Sequence, residues 1–316
     1  MKKLAVAVAF YLATAASAGA AQCLTVGTWN LEYFGVGKSR GFPEAAGEIG
    51  PRTNAQLDGI AQAIRDTIGA SVLILNEING RDGKASSAEL EDLVQRLGPS
   101  WKYAIDKSGR AQRNAMIWDG NAVDALATQE IYIAPKKVNG QDIFERDPLA
   151  IYFRAKGASK RADFLVVALH LKSGQGETEN HDAAMDRLRR ELKALRGHND
   201  VLPAAEDDIL IGGDLNASPY DGPKEGFFDS YNRGNWKLLA EGDDYPATRL
   251  AKRQIDYLIV TRKTSRQHGL WDEEVAASPA HVWRELAGNN NLDRYRKSYS
   301  DHFPVTTCVD ATTDND

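Results

Sequence analysis

The sequence predicts an α/β (α+β) domain in which β-strands alternate with amphipathic helices. Eight short apolar runs rich in β-branched residues are spread over 24–309, and three patterns with helical spacing fall between them. No long Pro-, Gly- or Ser-rich linker and no internal repeat divides the 316 residues, so we predict a single domain over 22–316.

The predicted elements follow this order along the chain. The strands are LTVGTW (24–29), VLILN (72–76), AMIW (115–118), LAIYF (149–153), FLVVAL (164–169), ILIG (209–212), IDYLIV (255–260) and PVTTCV (304–309). Each helix places apolar residues on one face and stops at a glycine. These residues are Leu57, Ile60, Ile64 and Ile68 before Gly69, Leu90, Leu93, Val94 and Leu97 before Gly98, and Leu188, Leu192 and Leu195 before Gly197.

Residues 1–21 have the three-part order of a secretory signal peptide. A basic start precedes the apolar run LAVAVAFYLATAA (4–16) and then small residues up to Ala21. This run is short for a bilayer span, and no other stretch is apolar enough to be one. We therefore expect a secreted or periplasmic protein without stable membrane anchoring. The alternative interpretation of this segment is a buried hydrophobic strand or helix.

The charge balance restricts how the protein can hold a polyanion. The sequence has 39 Lys and Arg against 44 Asp and Glu, and loss of the signal peptide leaves 37 against 44, a net charge of −7. The basic overall charge typical of nucleic-acid-binding proteins is absent. Local Arg and Lys groups and metal ions must therefore hold any anionic substrate.

Polar residues occur at the ends of six predicted strands. They are Asn30 and Glu32, Asn76 and Glu77, His170, Asp214 and Asn216, Asp256, and Asp301 with His302. If strands with polar exits run antiparallel to strands with polar entries, all six deposit these groups on one edge. Carboxylates gathered there repel one another unless a cation lies among them. Oxygen-rich ligation without thiolates predicts Mg²⁺, with Mn²⁺ or Ca²⁺ as alternatives.

Six segments resemble, in order, the motifs of the endonuclease/exonuclease/phosphatase superfamily and of its deoxyribonuclease I-like branch. They are TWNLE (28–32), ILNE (74–77), LHLKS (169–173), GGDLN (212–216), QIDYL (254–258) and SDHFPV (300–305). Each motif is weak alone, but six in the family's order span nearly the whole mature chain. The resemblance implies a four-layer sandwich of two mixed β-sheets flanked by helices, and a metal-dependent phosphodiesterase.

The resemblance also implies roles for the matching residues. Glu77 is similar to the carboxylate that binds the catalytic metal, and Asn30 and Asp301 complete the metal neighbourhood. Asp214 and Asn216 resemble the pair that positions and polarises the attacking water. A metal neutralises the charge that develops on a phosphodiester during attack, which is why such a set is needed.

Further residues are matched to proton transfer and to substrate binding. Asp256 and His302 resemble a carboxylate–imidazole pair beside the scissile phosphate, and His170 matches a candidate general acid for the leaving oxygen. Arg146, in ERDPLAIYF (145–153), resembles an arginine that meets a DNA phosphate. Asn114, just before AMIW, is a second candidate for the substrate cleft.

Each of these residues also has a structural interpretation when taken alone. Asn30 could satisfy a buried turn, and His170 could be a hydrogen-bonded core residue. Asp214 could cap a turn, while Asp256 and Arg146 could form ordinary ion pairs. We prefer the catalytic interpretation because the structural one requires six coincidences together.

The sequence predicts a Mg²⁺-dependent nuclease that hydrolyses DNA, with RNA as a further substrate, and we expect a monomer. Two other functions stay open. One is a phosphoesterase of the same fold acting on a lipid head group, as a sphingomyelinase does, or on a small phosphoester. It favours an exposed apolar hairpin, which is not evident, although Trp271 and Trp283 keep it open. The other is a non-catalytic binding member of the family, yet no metal ligand or histidine is missing.

We also predict a disulfide between Cys23 and Cys308. A secreted chain with two cysteines favours their pairing. If Asn30 and Asp301 both reach the metal, the first and last strands run antiparallel as neighbours. Cys23 lies seven residues before Asn30 and Cys308 lies seven after Asp301, so both are expected at the same level. Opposed Cα atoms would be about 4.5–5.5 Å apart, within reach of a disulfide. The alternative is two free thiols.

Overall fold

A computed structural model describes most of the chain between Cys23 and Asp310. The described residues are 23–35, 51–80, 87–108, 112–134, 137–138, 140–157, 162–173, 178–195, 207–217, 235–239, 246–250, 253–262, 269–273, 280–289 and 291–310. The predicted signal peptide lies outside them.

Six strands form the first sheet, which we call sheet A. They are β1 Cys23–Phe34, β2 Val72–Ile78, β3 Trp101–Ile105, β4 Arg113–Asp119, β13 His281–Val282 and β14 Val305–Asp310. Their order across the sheet is β13-β14-β1-β2-β4-β3. β1 and β2 run parallel and the other neighbours antiparallel, so sheet A is mixed.

Six further strands form sheet B. They are β5 Val123–Glu130, β8 Leu149–Ala155, β9 Asp163–His170, β10 Ile209–Asp214, β11 Trp236–Leu238 and β12 Asp256–Thr261. Their order is β11-β12-β10-β9-β8-β5, with only β9 and β10 parallel. The short strands β6 Lys137–Val138 and β7 Gln141–Asp142 pair with each other. All eight predicted strands are confirmed, and the additional strands are short or half-exposed.

The described helices include the three that the sequence predicts. They are α1 Asn54–Gln62, α2 Ala88–Leu97, α3 Thr178–Leu195, α4 Leu270–Glu273 and α5 Leu292–Ser298. A π-helical segment, Ala63–Ile68, extends α1 until Gly69 ends it with a left-handed φ of 64°. Thr53 and Gln56 form a reciprocal capping box at the start of α1. None of the described helices is long and apolar enough to cross a bilayer.

Alternate residues of β2 face two different apolar cores. Ile74 belongs to the core between the sheets, where a Cβ added to Gly212 of β10 would lie only 2.9 Å from its Cδ1. Leu73 and Leu75 belong to a second core, which includes Ile60 of α1 and other helical side chains. Sheet A is therefore packed between helices and sheet B.

The other face of sheet B packs against α3. β9 and β10 are buried on both faces, and Leu188 and Leu192 of α3 join their core. The resulting order of helices, sheet A, sheet B and helix confirms the four-layer sandwich. The connections β1–α1–β2 and β9–α3–β10 each join two parallel strands, so the exits of both pairs lie at one edge of their sheet.

Cys23 and Cys308 form a disulfide with a Cα–Cα distance of 5.3 Å. The pairing is as predicted, but the register is offset, because Cys308 lies opposite Thr25 and Cys23 lies opposite Asp310. The bond therefore runs diagonally between residues on the same face of β1 and β14. It joins positions separated by 285 residues.

Candidate active site

Three polar residues of sheet B lie level with one another on neighbouring strands. Asp214 ends β10 and pairs in register with His170, at the end of β9, and with Asp256, at the start of β12. Because β9 and β10 are parallel and β12 is antiparallel to them, two strand exits meet one strand entry. The sheet therefore gathers an imidazole and two carboxylates at one edge.

Sheet A contributes a second group that hydrogen bonds to the first. Asn30 of β1 pairs in register with Asn76 of β2, and Glu77 follows with a φ of 61°. The fully buried Asn30 donates from Nδ2 to Glu77 Oε1 at 3.1 Å and to Asp214 Oδ2 at 3.0 Å. Asn76 Oδ1 accepts the backbone N–H of Asp214 at 2.9 Å. These bonds hold the two sheets in register at the site.

A left-handed stretch of β1 fixes the orientation of Asn30. Glu32 and Tyr33 have φ values of 44° and 52°, a conformation that is costly for residues other than glycine and is concentrated at functional sites. The turn aims the Glu32 N–H at Asn30 Oδ1, at 2.9 Å, and the Tyr33 N–H at Glu77 Oε2, at 3.0 Å. The strained backbone thus positions both residues that the sequence assigns to the metal on this sheet.

The Glu32 side chain ties β1 to the segment that carries Asp301. The buried Glu32 carboxylate accepts the Asp301 backbone N–H at 3.0 Å and pairs with Arg296 of α5. Arg52 Nη2 donates to the carbonyl oxygens of Glu32, at 3.2 Å, and of Tyr299, at 3.0 Å. Glu32 therefore has a positioning role that its motif alone does not reveal.

Asp214 lies at the centre of the site. Its Oδ1 accepts the Asn216 N–H at 2.9 Å. The Asn216 backbone has a left-handed φ of 48°, and its side chain donates to the Leu171 carbonyl at 2.9 Å. Burial, and then the charge of Asp256, raises the pKa of Asp214 to about 7. This pKa holds for the metal-free site, and a cation bound to the carboxylate would lower it again.

His302 is held as a cation by a buried carboxylate. Its Nδ1 lies 2.8 Å from Asp256 Oδ2, and its Nε2 lies 3.8 Å from Asp214 Oδ2. Burial alone would lower the pKa of His302, but the charge and hydrogen bond of Asp256, with Asp301 and Asp214, raise it to about 10. The backbone carbonyl of His302 accepts from Trp29 Nε1 at 2.9 Å, which fixes the residue against β1.

His170 lies at the same distance from Asp214 as His302, but its pKa is shifted in the opposite direction. Its Nε2 is 3.8 Å from Asp214 Oδ2. Burial, together with the positive charges of Arg146 and His302, lowers the pKa of His170 well below its usual value. Among the described residues, none hydrogen bonds to His170 Nδ1. The ring is therefore neutral in the free protein.

The donor set at this edge fits a divalent cation. Glu77, His170 and Asp214 each offer a ligand atom within 4.8 Å of the others. Asp214, Asp256 and His302 are grouped as closely, but a protonated His302 has no lone pair for a metal. The charge of Asp256 contributes to the raised pKa of Asp214, which shows that the acids repel one another, and a hard cation would relieve that repulsion. Glu77 and Asp214 would hold such an ion. Asn30 presents Nδ2 to Glu77, so oxygen ligation by Asn30 requires its amide to turn over.

Asp301 is engaged by an arginine that the sequence analysis did not single out. Its Oδ2 accepts from Arg249 Nε at 2.9 Å and Nη2 at 2.8 Å, while its Oδ1 lies 3.5 Å from His302 Nε2. The structure thus places Asp301 beside His302, and its predicted contact with the metal stays a prediction. Arg249 lies outside the strands and helices, so no pattern in the sequence marked it as a site residue.

The two predicted substrate residues are both buried. Arg146 donates from Nη1 to the His170 carbonyl at 3.5 Å and from Nη2 to Glu145 at 3.1 Å. Asn114 Oδ1 accepts from Asn76 Nδ2 at 2.9 Å, and no described residue hydrogen bonds to Asn114 Nδ2. Arg146 therefore adjoins the site directly, whereas Asn114 lies behind Asn76.

Asp106, a fully buried carboxylate, was not among the predicted site residues. Its Oδ2 accepts the Asn114 backbone N–H at 2.9 Å, and burial raises its pKa to about 7 although Arg146 opposes the shift. Asp106 directly follows β3, so it is one more polar residue at a strand end. The weak apolar pattern of β3 concealed that signal.

The chain belongs to the endonuclease/exonuclease/phosphatase family, whose sequence model matches residues 27–302. Members of this family are hydrolases that act on phosphoester bonds. The family's fold and the buried Asp–His edge therefore define the protein as a member of a class of phosphoester hydrolases. Among curated proteins, no sequence matches this chain.

Solved structures of human and Bacteroides proteins share the fold. An endonuclease/exonuclease/phosphatase from Bacteroides vulgatus has a TM-score of 0.60 at 14% identity, covering 92% of this chain and 99% of that one. The human Nocturnin catalytic domain, with a bound sulfate, has a TM-score of 0.58 at 13% identity, covering 91% and 94%. A mannosyl-6-phosphatase from Bacteroides thetaiotaomicron has 0.56 at 15%, covering 90% and 99%. At these identities the likeness concerns the fold alone.

Proposed function

We propose that the protein is a secreted, divalent-metal-dependent phosphodiesterase that hydrolyses nucleic acid, with DNA as its first substrate. The observation that carries the proposal is the pair of histidines whose Nε2 atoms each lie 3.8 Å from the same Asp214 oxygen. Hydrolysis of a diester needs charge stabilisation on the phosphoryl oxygens and proton exchange with water and leaving group. A cationic His302 and a neutral His170 supply these two requirements separately.

The proton transfers follow from the charge states. The attacking water gives its proton to the Asp214 carboxylate as its oxygen bonds to phosphorus. The bond from phosphorus to the leaving oxygen breaks, and that alkoxide takes a proton from His170. His170 takes this proton from solvent when the anionic substrate binds, because a nearby negative charge raises the pKa of an imidazole, and Asp214 returns its proton to solvent after the reaction. The products are a phosphomonoester and an alcohol.

A divalent ion, Mg²⁺ first and Mn²⁺ or Ca²⁺ as alternatives, would be held by Glu77 and Asp214, and when bound it neutralises phosphoryl charge. Asn216 keeps the Asp214 carboxylate in place through its backbone N–H. His302, fixed by Asp256, stays positive at the phosphoryl oxygens.

Support for a nucleic-acid substrate comes from the surroundings of the site. Arg146 is buried beside His170 and presents a guanidinium that suits a phosphate. Among the described residues the exposed large apolar side chains are Leu126 and Tyr132, in and just after β5 at the edge of sheet B. Tyr132 follows the end of β5 that is level, across β8, with the end of β9 carrying His170, so the described part of the site edge offers one isolated aromatic side chain rather than an apolar patch for a lipid bilayer.

A small phosphoester is the second candidate substrate. The net charge of −5 for the whole chain disfavours tight binding of a polyanion and favours a compact substrate.

Export is supported by the Cys23–Cys308 disulfide, since such bonds persist in oxidising compartments. Mass spectrometry of the exported protein tests the signal peptide, which should be absent through Ala21.

A substrate panel tests the proposed function. Purified protein is incubated with supercoiled plasmid, RNA, sphingomyelin and a sugar phosphate, with Asp214→Asn as the inactive control. We expect plasmid cleavage in the wild type and none in the variant. Release of phosphocholine or inorganic phosphate with intact plasmid would replace the nuclease by one of the alternatives.

A further inference from the structure

Arg249 is anchored by its backbone beside His302. Arg249 and His302 form an isolated antiparallel bridge, and the Phe303 N–H donates to the Thr248 carbonyl at 2.7 Å. Thr248 Oγ1 in turn accepts the Asp256 N–H at 3.1 Å. The base of the Arg249 side chain is therefore fixed to both members of the Asp256–His302 pair.

Only part of the Arg249 guanidinium contacts other described residues. Its Nε and Nη2 both contact one oxygen of Asp301, and the side chain is 36% exposed. A guanidinium has five N–H donors, and Asp301 is its only described ion-pair partner. Its positive charge also faces Asp214 and Glu77. The remaining donors are thus placed at the rim of an acidic site that must admit an anion.

Arg249 and Arg146 lie on opposite sides of Asp214. Arg146 bonds to His170 on β9, whereas Thr248, next to Arg249, bonds to Asp256 on β12, and both strands neighbour β10. Strands lie ~4.8 Å apart, so the two flanking strands are separated by ~10 Å. Asp301, whose Oδ2 holds Arg249, lies 3.5 Å from His302 Nε2 through its Oδ1, so the guanidinium is adjacent to the His302–Asp214 pair on the β12 side.

We propose that Arg249 binds a phosphate adjacent to the scissile one and thereby makes the site selective for a polymeric phosphodiester over a small one. The proposal rests on the proposed function. Asp301 holds Arg249 in this position in the free protein. The contact with the substrate is charge-assisted and leaves the protons of the reaction unaffected.

Arg154 provides a matched control. Its Nε and Nη2 likewise contact one oxygen of Asp163, at 3.1 and 2.6 Å, and its side chain is 32% exposed. Asp163 starts β9, the strand that His170 ends, so this ion pair lies ~23 Å from the site. Arg154→Gln removes the same charge and the same kind of ion pair away from the chemistry.

The test compares Arg249→Gln and Arg154→Gln on a single-stranded DNA and on bis(p-nitrophenyl) phosphate, which has one phosphate. We expect Arg249→Gln to lower kcat/KM on DNA about 10-fold more than on the small diester. The slope of log kcat/KM against log salt should become shallower by ~0.7, and Arg249→Lys should restore it. Arg154→Gln should match the wild type.

A second readout does not depend on turnover. Binding of fluorescent DNA is measured in the Asp214→Asn background, where Arg249→Gln should weaken affinity about 10-fold. Equal losses on both substrates, or a salt slope like that of Arg154→Gln, would leave Arg249 as a support for Asp301 and overturn the inference. If the wild type cleaves neither DNA nor RNA, the proposed function fails and this inference with it.

Discussion

His170 and His302 lie at the same distance from one Asp214 oxygen, yet their ionisation differs. His302 has a carboxylate 2.8 Å from Nδ1, and its pKa is raised to about 10. No described residue hydrogen bonds to His170 Nδ1, and burial lowers its pKa well below the usual value. The partner of the second ring nitrogen, rather than the distance to Asp214, decides the charge of each ring.

This difference suits a reaction with two separate demands. A ring that stays positive stabilises charge on phosphoryl oxygens throughout, whereas a ring that is neutral at rest can take up and release a proton. Two histidines with the same pKa could not meet both demands at one pH. The comparison therefore predicts that the two residues fail differently when they are replaced.

The largest effect is expected for His302→Ala. It removes the cation and leaves Asp256 buried without its partner, so kcat should fall by ~10³-fold. Turnover of plasmid or of a small diester measures this, with circular dichroism confirming the fold. A folded His302→Ala protein with near-wild-type kcat would remove this residue from the catalytic set.

His170→Ala should reduce kcat by a smaller factor, ~10²-fold, because it removes proton transfer but leaves the resting charge. The loss should be smallest on bis(p-nitrophenyl) phosphate, whose leaving group needs little protonation. Equal losses on DNA and on this substrate would show that His170 does not protonate the leaving oxygen.

Asp256→Asn should lower the pKa of His302 and so reduce the difference in ionisation between the two histidines, while both rings stay in place. In metal-free wild type the stabilising contribution of His302 is fully present below pH 6.5 and is lost as pH rises through about 10, because its folded pKa is raised. The variant should lose this pH dependence of the free energy of unfolding. Imidazole NMR shifts should show His302 titrating lower; an unchanged titration would mean that Asp256 does not set the charge.

The sequence was enough to predict where the polar groups of the site lie. It was not enough to predict which of them hydrogen bond to one another or what charge each carries. Alternating strands and six polar strand ends were enough to predict the edge at which His170, Asp214 and Asp256 meet. The apolar pattern and composition of each strand predict where the strand ends, and the residue at that end lies at the edge of the sheet. Opposite histidine charges could not be predicted, since they depend on burial and on partners from distant strands.

The residues that were missed share a physical reason. Asp106 follows a strand with a weak apolar pattern, and Arg249 lies in a connection with no pattern at all. The disulfide between Cys23 and Cys308 was predicted with its partners correct and its register offset by two. Equal counts from the site gave the pairing, but β1 and β14 are not centred on Asn30 and Asp301, because Thr28 lies opposite Val305.

The smallest effect on chemistry is expected for Cys23→Ser. Cys23 lies seven residues, ~23 Å, before Asn30, so both histidines should keep their titration and kcat should stay within about twofold. The free energy of unfolding should fall by up to ~5 kcal/mol, since the bond closes a very long loop. Denaturant melts of both proteins measure this, and a collapse of kcat in folded protein would link the bond to the site.

One titration tests whether phosphodiester hydrolysis at this edge depends on a divalent metal. Protein treated exhaustively with chelator is assayed on plasmid DNA as Mg²⁺, Mn²⁺ or Ca²⁺ is added back, beside Glu77→Gln. We expect no turnover without metal, recovery with Mg²⁺ or Mn²⁺, and a weaker apparent metal affinity in the variant. Full turnover after chelation would contradict this expectation.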